Sequence, residues 1–545
     1  MAVPDQARVV IVGGGIMGCG LAYHLAHEGW TDVVLVEKAE LTSGSTWHGC
    51  GSLRLAYTED EVDWLRHTLS VGRSLGFRME LMDPARIAER HPFYNLDGVE
   101  AALYTPDDGH VDPAGATFAL AQGARQLGGR IIRQCRVTDV QREANGEWRV
   151  DTVQGSIRCE HVVNAGGTYA KQVGAWSGLD VPTTSMTHHY LITDTVPEFL
   201  DLETELPVVR DDRQVSGYVR MEQKSGLIGI YEKADPNAIW FDGCPWEAEH
   251  ELFDADYDRI MPWLENAMER MPVLAELGIK RAVHGAISHP PDGNPLIGPA
   301  PGLPNYWLNC GCQIVIGWGP GLTRELARWM VHGSADINMR DFDPRRFGAF
   351  ADVDYQVTKA KEDYLLRHEI PFPHFNRPDG RPVKPSALYD RLKAKGAVFE
   401  EVYGWERPRW FATRGLEQRD YYSFKRPAWH DAVMNEVEAV RQRAGIMDIS
   451  AFSKVDVSGP DAAAFVDRLI PNRLPKPGRI GLTHLLSDNG RIELETTVVR
   501  LADDRLYFTC AAFFEQRLID LLSFRKRDDE TVTIDNLSDA WGRWR

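Results

Sequence analysis

The run Gly13-Gly14-Gly15-Ile16-Met17-Gly18 has the spacing of a dinucleotide cradle. In such a G-x-G-x-x-G, Gly13 permits a tight turn, Gly15 lets the backbone approach a pyrophosphate, and Gly18 lets a helix pack closely on the preceding strand. The free N–H groups at the start of that helix carry partial positive charge that suits phosphate. Glu37 lies 19 residues beyond Gly18, near the ~20 expected of an acid that binds a ribose hydroxyl. An acid there, rather than a base, suits a free 2′-hydroxyl. Two more glycine turns stand far along the chain, Asn164-Ala165-Gly166-Gly167 and the stretch 311–321, and offer further places of close backbone approach.

These residues need elements to hold them. Val9, Val10, Ile11 and Val12 form a short apolar run of the buried-strand type. A helix follows, with Leu21, Ala22, Leu25 and Ala26 on one face and Gly29 as its stop; a second strand over 33–36 delivers Glu37. Residues 161–165 read as another strand. From about 181 to 231 the texture changes to short alternating strands (190–193, 217–220, 227–230), which predicts an antiparallel sheet inserted in the α/β domain over about 180–285. After a turn-rich loop (292–299) and a strand (306–310), a helix is expected to start near Gly321, with Leu322, Leu326, Trp329 and Met330 on one face. The fold class that follows is α/β: a Rossmann-type domain over 1–345 with the inserted sheet, a middle module over 346–415 that wraps it, and an α+β unit over 416–545, which the resemblance given below implies is partial.

The 545 residues are 43% hydrophobic and 26% charged, an ordinary globular composition. With 61 Lys and Arg against 79 Asp and Glu, the net charge of −18 argues against nucleic acid and against an anionic membrane surface. No apolar run reaches the ~18 residues of a membrane span, and the N-terminus lacks the pattern of a secretory signal. Eight scattered Cys, none in a C-x-x-C pair, argue against a zinc site and suit a reducing, cytoplasmic setting. No metal site is expected.

The string Leu41-Thr42-Ser43-Gly44-Ser45-Thr46-Trp47-His48-Gly49, with the first motif, resembles the dimethylglycine and sarcosine dehydrogenase family, flavoproteins of the D-amino-acid-oxidase type. Asp108-Gly109-His110-Val111-Asp112-Pro113, Asp292-Gly293-Asn294-Pro295-Leu296-Ile297-Gly298-Pro299 and Phe342-Asp343-Pro344-Arg345-Arg346-Phe347 agree in the same order. Near the C-terminus, Gly445-Ile446-Met447-Asp448-Ile449-Ser450 and Val457-Ser458-Gly459-Pro460-Asp461 resemble the start of a glycine-cleavage T-protein (aminomethyltransferase) domain.

The resemblance implies FAD, linked covalently through His48, and oxidative N-demethylation of a small N-methyl amine. Cofactor contacts are then expected at Gly13, Gly15, Gly18, Glu37, Lys38, Ser45, Thr46, His48, Ala165, Gly166, Gly317, Gly319 and Leu322. His188 and Tyr190 stand in the family's M-x-H-x-Y pattern on one face of a strand, and Tyr218 on the next strand; all three are expected to be catalytic. Arg54 is a candidate for a substrate carboxylate, with Arg220 a second. Trp318 is assigned to substrate, and Trp240, Trp246 and Trp307 could join it in a cage for an alkylammonium, the alternative for each being an ordinary core position. The loop 310–319 is bulkier and more apolar than the family's, which leaves the substrate open. Glu495 falls where the family carries a folate-binding acid. Because the chain ends at Arg545, tetrahydrofolate binding is expected only if a partner chain completes that domain. The electron acceptor is either molecular oxygen or an electron-transfer flavoprotein. The alternatives are a related amine or 2-amino-acid oxidase that does not demethylate, and a flavoprotein subunit.

Overall fold

The computed structural model describes residues 3–42, 52–241, 243–413 and 415–541. The first sheet is built on the strand Gln6–Val12, whose residues 9–12 are buried on both faces, as a central parallel strand requires. It pairs in parallel with Val33–Val36 on one side and Gly155–Asn164 on the other. Arg130–Ile132 and Tyr306–Cys310 extend the parallel order outward, and Leu296–Pro299 closes one edge antiparallel. Helices Ile16–His27, Pro113–Gln126 and Val315–His332 pack their apolar stripes on one face, joining Val9, Ile11 and Leu35 to Leu21, Leu25, Ala121 and Leu326 in one core. A hairpin, Val137–Arg142 with Trp148–Thr152, contributes Val140, Trp148 and Val150 to the core of the other face.

The last of those helices begins at Val315 and not near Gly321, and Pro320 lies inside it. The glycines and proline of 311–321 read as a loop because both residue types disfavour helix interiors. Packing overrides that local preference here: Gly319 sits against Met17, where a Cβ would come 2.9 Å from Sδ.

The second sheet runs in the order Ala238–Ile239, Thr184–Thr195, Ser225–Ile230, Gly217–Glu222, Val208–Asp211, Ser52–Ala56, Ala101–Tyr104, Glu80–Met82, with Ile279–His289 also paired to Thr184–Thr195. All its pairings are antiparallel except that of Val208–Asp211 with Ser52–Ala56. Three of its strands therefore come from 52–104, outside the 180–285 segment read from the sequence. One row of neighbours crosses it: Tyr190, Gly229, Tyr218, Arg210 and Arg54 stand side by side on successive strands.

The middle of the chain supplies helix Val353–Leu366, whose Asp352 cap accepts from the Tyr355 amide at 2.9 Å. Its Ala360 and Tyr364 pack on Met186 and Ile287 of the second sheet. A hairpin, Ala397–Val402 with Trp405–Phe411, follows. The C-terminal unit is a five-stranded antiparallel sheet whose core includes Val455, Val457, Phe465, Leu506, Phe508 and Leu518. It docks on the first domain, where Asp520 accepts from the Gly302 amide at 3.0 Å and Asn489 donates to the His332 carbonyl at 2.8 Å. Among the described residues no helix is long and apolar enough to cross a membrane.

Candidate active site

A cavity of about 400 Å³ lies between the two sheets. One end is walled by main chain. Gly13 has φ +116°, and a Cβ there would stand 2.4 Å from the Ala165 carbonyl oxygen; a Cβ on Gly18 would stand 2.0 Å from the Gly13 carbonyl oxygen. Neither position can carry a side chain without moving backbone. Gly15, the N-cap of helix Ile16–His27, brings no side chain over the helix start, which leaves that end open to an anion. Glu37 accepts from the Gly14 amide at 2.7 Å and the Ala39 amide at 2.9 Å, so it fixes the turn as well as facing the cavity. Gly166 and Ala165 line the wall beside it.

Lys38 also lines the cavity, but its ammonium donates to the Trp246 and Ala248 carbonyls. The Tyr169 hydroxyl donates to Pro245 and Ala248, and Gln172 makes two hydrogen bonds to the Cys244 backbone. Trp246 is thereby stacked on Trp176 at 5.2 Å and Tyr169 at 5.5 Å, an aromatic wall for this end. The glycine cradle, the open helix start and Glu37 fit the dinucleotide half of FAD.

The other end is walled by side chains. His188 lines it, stacks on Tyr231 with ring centroids 4.1 Å apart, and has Nδ1 3.3 Å from the Tyr364 hydroxyl, which donates in turn to Glu232 at 2.7 Å. Glu232 is fully buried and its carboxyl is raised above the usual range by that burial, against the pull of Arg259 2.9 Å away. Tyr218 lines the same end, its ring lying over Gly229; a Cβ on Gly229 would meet Tyr218 Cζ at 2.1 Å. Tyr190 shares the face of His188 but stands two residues, ~7 Å, further along the strand. It packs with Leu227 and Val283 beside Tyr218, and supports that ring instead of lining the cavity.

Arg54 is displaced from its expected role. Its Nε lies 2.6 Å from Asp212, which also accepts from Arg210 at 2.7 Å and pairs with His368. Burial opposes ionisation of Asp212, yet Arg210, Arg54 and His368 hold its carboxyl well below the usual range. Arg220 is paired with Glu222 at 2.5 Å. Trp318 packs edge-on against Phe342 at 6.2 Å, Trp240 against Phe253 and Trp307 against Trp329, so the four tryptophans form no cage. Gly317 and Gly319 belong to helix Val315–His332, and Leu322 to the core under it; the cavity wall on this side is Cys310 through Val315. Burial pushes the Cys310 and Cys312 thiols up to about 12, which makes them inert packing groups. Ser45, Thr46 and His48 lie outside the described residues. Glu495 is exposed on the C-terminal sheet, 3.3 Å from His484.

Arg210, Tyr231, Arg367 and His368 also line this end. No motif marks them; Tyr231 falls just past the strand expected over 227–230, and Arg367 and His368 come from the module read only as a wrapper.

Comparison with known proteins completes the picture. The family model described as FAD dependent oxidoreductase matches residues 8–51 and 45–331, its central-domain model 332–386, and the GCVT N-terminal domain model 388–544. Mouse mitochondrial dimethylglycine dehydrogenase is 35% identical over 99% of this chain and 67% of its own length. Human mitochondrial sarcosine dehydrogenase is 32% identical over 94% and 63%. The 4-methylaminobutanoate oxidase (formaldehyde-forming) of Paenarthrobacter nicotinovorans is 31% identical over 98% and 69%. The chain spans 62% to 67% of the length of the dimethylglycine dehydrogenases it matches. Among solved structures, the L-proline dehydrogenase of P. horikoshii shares the fold of the first domain, with a TM-score of 0.56 at 24% identity over 63% of this chain and 98% of that one.

Proposed function

Because the chain belongs to the dimethylglycine and sarcosine dehydrogenase family of FAD-dependent oxidoreductases, we propose that it oxidatively demethylates a small N-methyl amino acid. The observation that carries this reading is one cavity with a main-chain dinucleotide cradle at one end and His188, Tyr218 and Tyr231 at the other. Gly13, Gly15, Gly18, Glu37, Ala165 and Gly166 would hold the cofactor, with His48 as its covalent anchor. When bound, FAD supplies the acceptor for the two electrons and the hydrogen leaving a carbon next to the amine nitrogen.

The chain's own residues do the rest. At neutral pH the amine arrives protonated and cannot push electrons toward that carbon until the proton leaves. His188, held by Tyr364 and stacked on Tyr231, is placed to take it. Tyr218, fixed over Gly229, orients the amine. Loss of hydride from an N-methyl group leaves an iminium; water adds to it, the C–N bond breaks, and formaldehyde and the demethylated amine are released with one proton. Tetrahydrofolate capture of the one-carbon unit through Glu495 belongs to this proposal only where a partner chain completes the C-terminal domain; a reducing, cytoplasmic setting for the free cysteines belongs to it as well.

The test is anaerobic reduction of the flavin band of the holoenzyme by sarcosine, dimethylglycine and longer N-methyl amino acids, with formaldehyde assayed after turnover. Bleaching with stoichiometric formaldehyde supports demethylation. Bleaching without it would point to oxidation elsewhere on the amine, and no bleaching by any of them overturns the proposal.

A further inference from the structure

Three arginines line the cavity. Arg136 has Glu247 at 4.0 Å, and Arg210 has Asp212 at 2.7 Å. The Arg367 side chain makes no hydrogen bond, ion pair or ring contact among the described residues, and the acid that feels its charge, Asp363, is already bound by Arg377 and Gln313. An unpaired guanidinium in a half-buried wall is costly unless something anionic meets it, and its planar fork matches a carboxylate in two hydrogen bonds.

Its position is as telling as its isolation. Arg367 caps the C-terminus of helix Val353–Leu366, its amide donating to the Tyr364 carbonyl at 3.3 Å. Tyr364 and Arg367 are three apart, hence neighbours on one helical face with Cβ atoms ~5–6 Å from each other. Tyr364 is the group that touches His188. His188, the residue assigned to the amine proton, and the Arg367 guanidinium are thus both tied to one helix turn, His188 through its contact with Tyr364. Tyr231 bridges the two places, with His188 at 4.1 Å and His368, the neighbour of Arg367, at 4.9 Å.

We propose that Arg367 receives the substrate carboxylate and so selects N-methyl amino acids over N-methyl amines that lack an acid. The central module then carries a specificity group, and Arg54 serves as a counter-ion to Asp212. This rests on the demethylation reading for the substrate's amine end; carboxylate binding itself does not.

The experiment uses flavin-loaded wild type, Arg367→Gln and Arg367→Lys, with dimethylglycine, its methyl ester and acetate as probes. In anaerobic reduction, Arg367→Gln should raise the half-saturating dimethylglycine concentration by at least ~30-fold, lower the limiting rate much less, and leave reduction by the ester unchanged. The acetate-induced shift of the oxidised flavin spectrum, which needs no turnover, should vanish in Arg367→Gln and partly return in Arg367→Lys. Unchanged dimethylglycine saturation and an unchanged acetate shift in Arg367→Gln overturn the proposal. If no N-methyl compound bleaches the wild type but the acetate shift still depends on Arg367, the carboxylate site stands and the demethylation reading falls. A variant that fails to retain flavin is replaced by Arg367→Lys, for which an intermediate saturation constant supports the proposal and a wild-type one in both assays overturns it.

Discussion

The two ends of the cavity are built in opposite ways. At the dinucleotide end the wall that meets the glycine turns is main chain, drawn from 12–17 and 165–168, and its defining property is space that no Cβ can enter. At the reacting end the wall is side chains, His188, Arg210, Tyr218, Tyr231 and Arg367, brought together from strands of the second sheet and the end of a helix of the central module. The first kind of wall is defined by volume, the second by functional groups. Substitutions at the first should therefore remove the cofactor, and substitutions at the second should change turnover while the cofactor stays.

Gly13→Ala is the severest test of that division. It combines a positive φ with a contact of 2.4 Å to the Ala165 carbonyl, and the purified protein should retain less than about a tenth of the wild-type flavin absorbance. Full retention would show that the cradle is not backbone-limited. At the other end, His188→Gln should slow anaerobic flavin reduction by ~10²-fold or more with flavin content unchanged; loss of flavin instead would blur the two ends. Gly229→Ala adds a methyl 2.1 Å from the Tyr218 ring, so it should displace that ring and cost roughly tenfold in the same rate, again with flavin retained.

Arg54→Gln is expected to leave saturation by dimethylglycine near wild type, because its guanidinium is committed to Asp212. Its cost should appear in the urea midpoint, at about 2 kcal/mol. A large rise in the saturating concentration would return the carboxylate to Arg54. The last effect is confined to acid and leaves neutral pH untouched. Burial lowers His91 to about 4, so between pH 6.5 and 4 the unfolded chain takes up a proton that the folded chain refuses. Stability is full above pH 6.5 and falls as pH drops through that window, by up to about 3 kcal/mol from this group. His91→Phe should flatten that part of the pH–stability curve and do nothing at neutral pH.

The dinucleotide end was legible in the sequence because it is local. Gly13, Gly15, Gly18 and Glu37 lie within one strand, helix and strand; the glycines act through the backbone and the Glu37 carboxylate acts on that same backbone, so spacing alone specifies them. The reacting end was legible only where a strand pattern carried it. His188 and Tyr218 sit on strands that alternation and the family motif locate, whereas Arg367 and His368 reach the cavity only through the packing of helix Val353–Leu366 on Met186 and Ile287. Arg54 misled because residue type and proximity to the Trp47-His48 motif say nothing about Asp212, which is 158 residues away. The start of helix Val315–His332 was missed because its glycines answer to neighbouring packing surfaces and not to local propensity.

The segment around Trp246 is fastened to the first domain through Lys38, Tyr169 and Gln172, although it belongs to the stretch between strands of the second sheet. Lys38 directly follows Glu37, and Tyr169 lies just past Gly166 and Gly167, so the fasteners grow out of the same turns that would grip the cofactor. Whatever orders those turns also pins the segment. Limited proteolysis should accordingly read cofactor occupancy at a distance: cleavage near His250 should be fast in flavin-depleted protein and slow once FAD is restored.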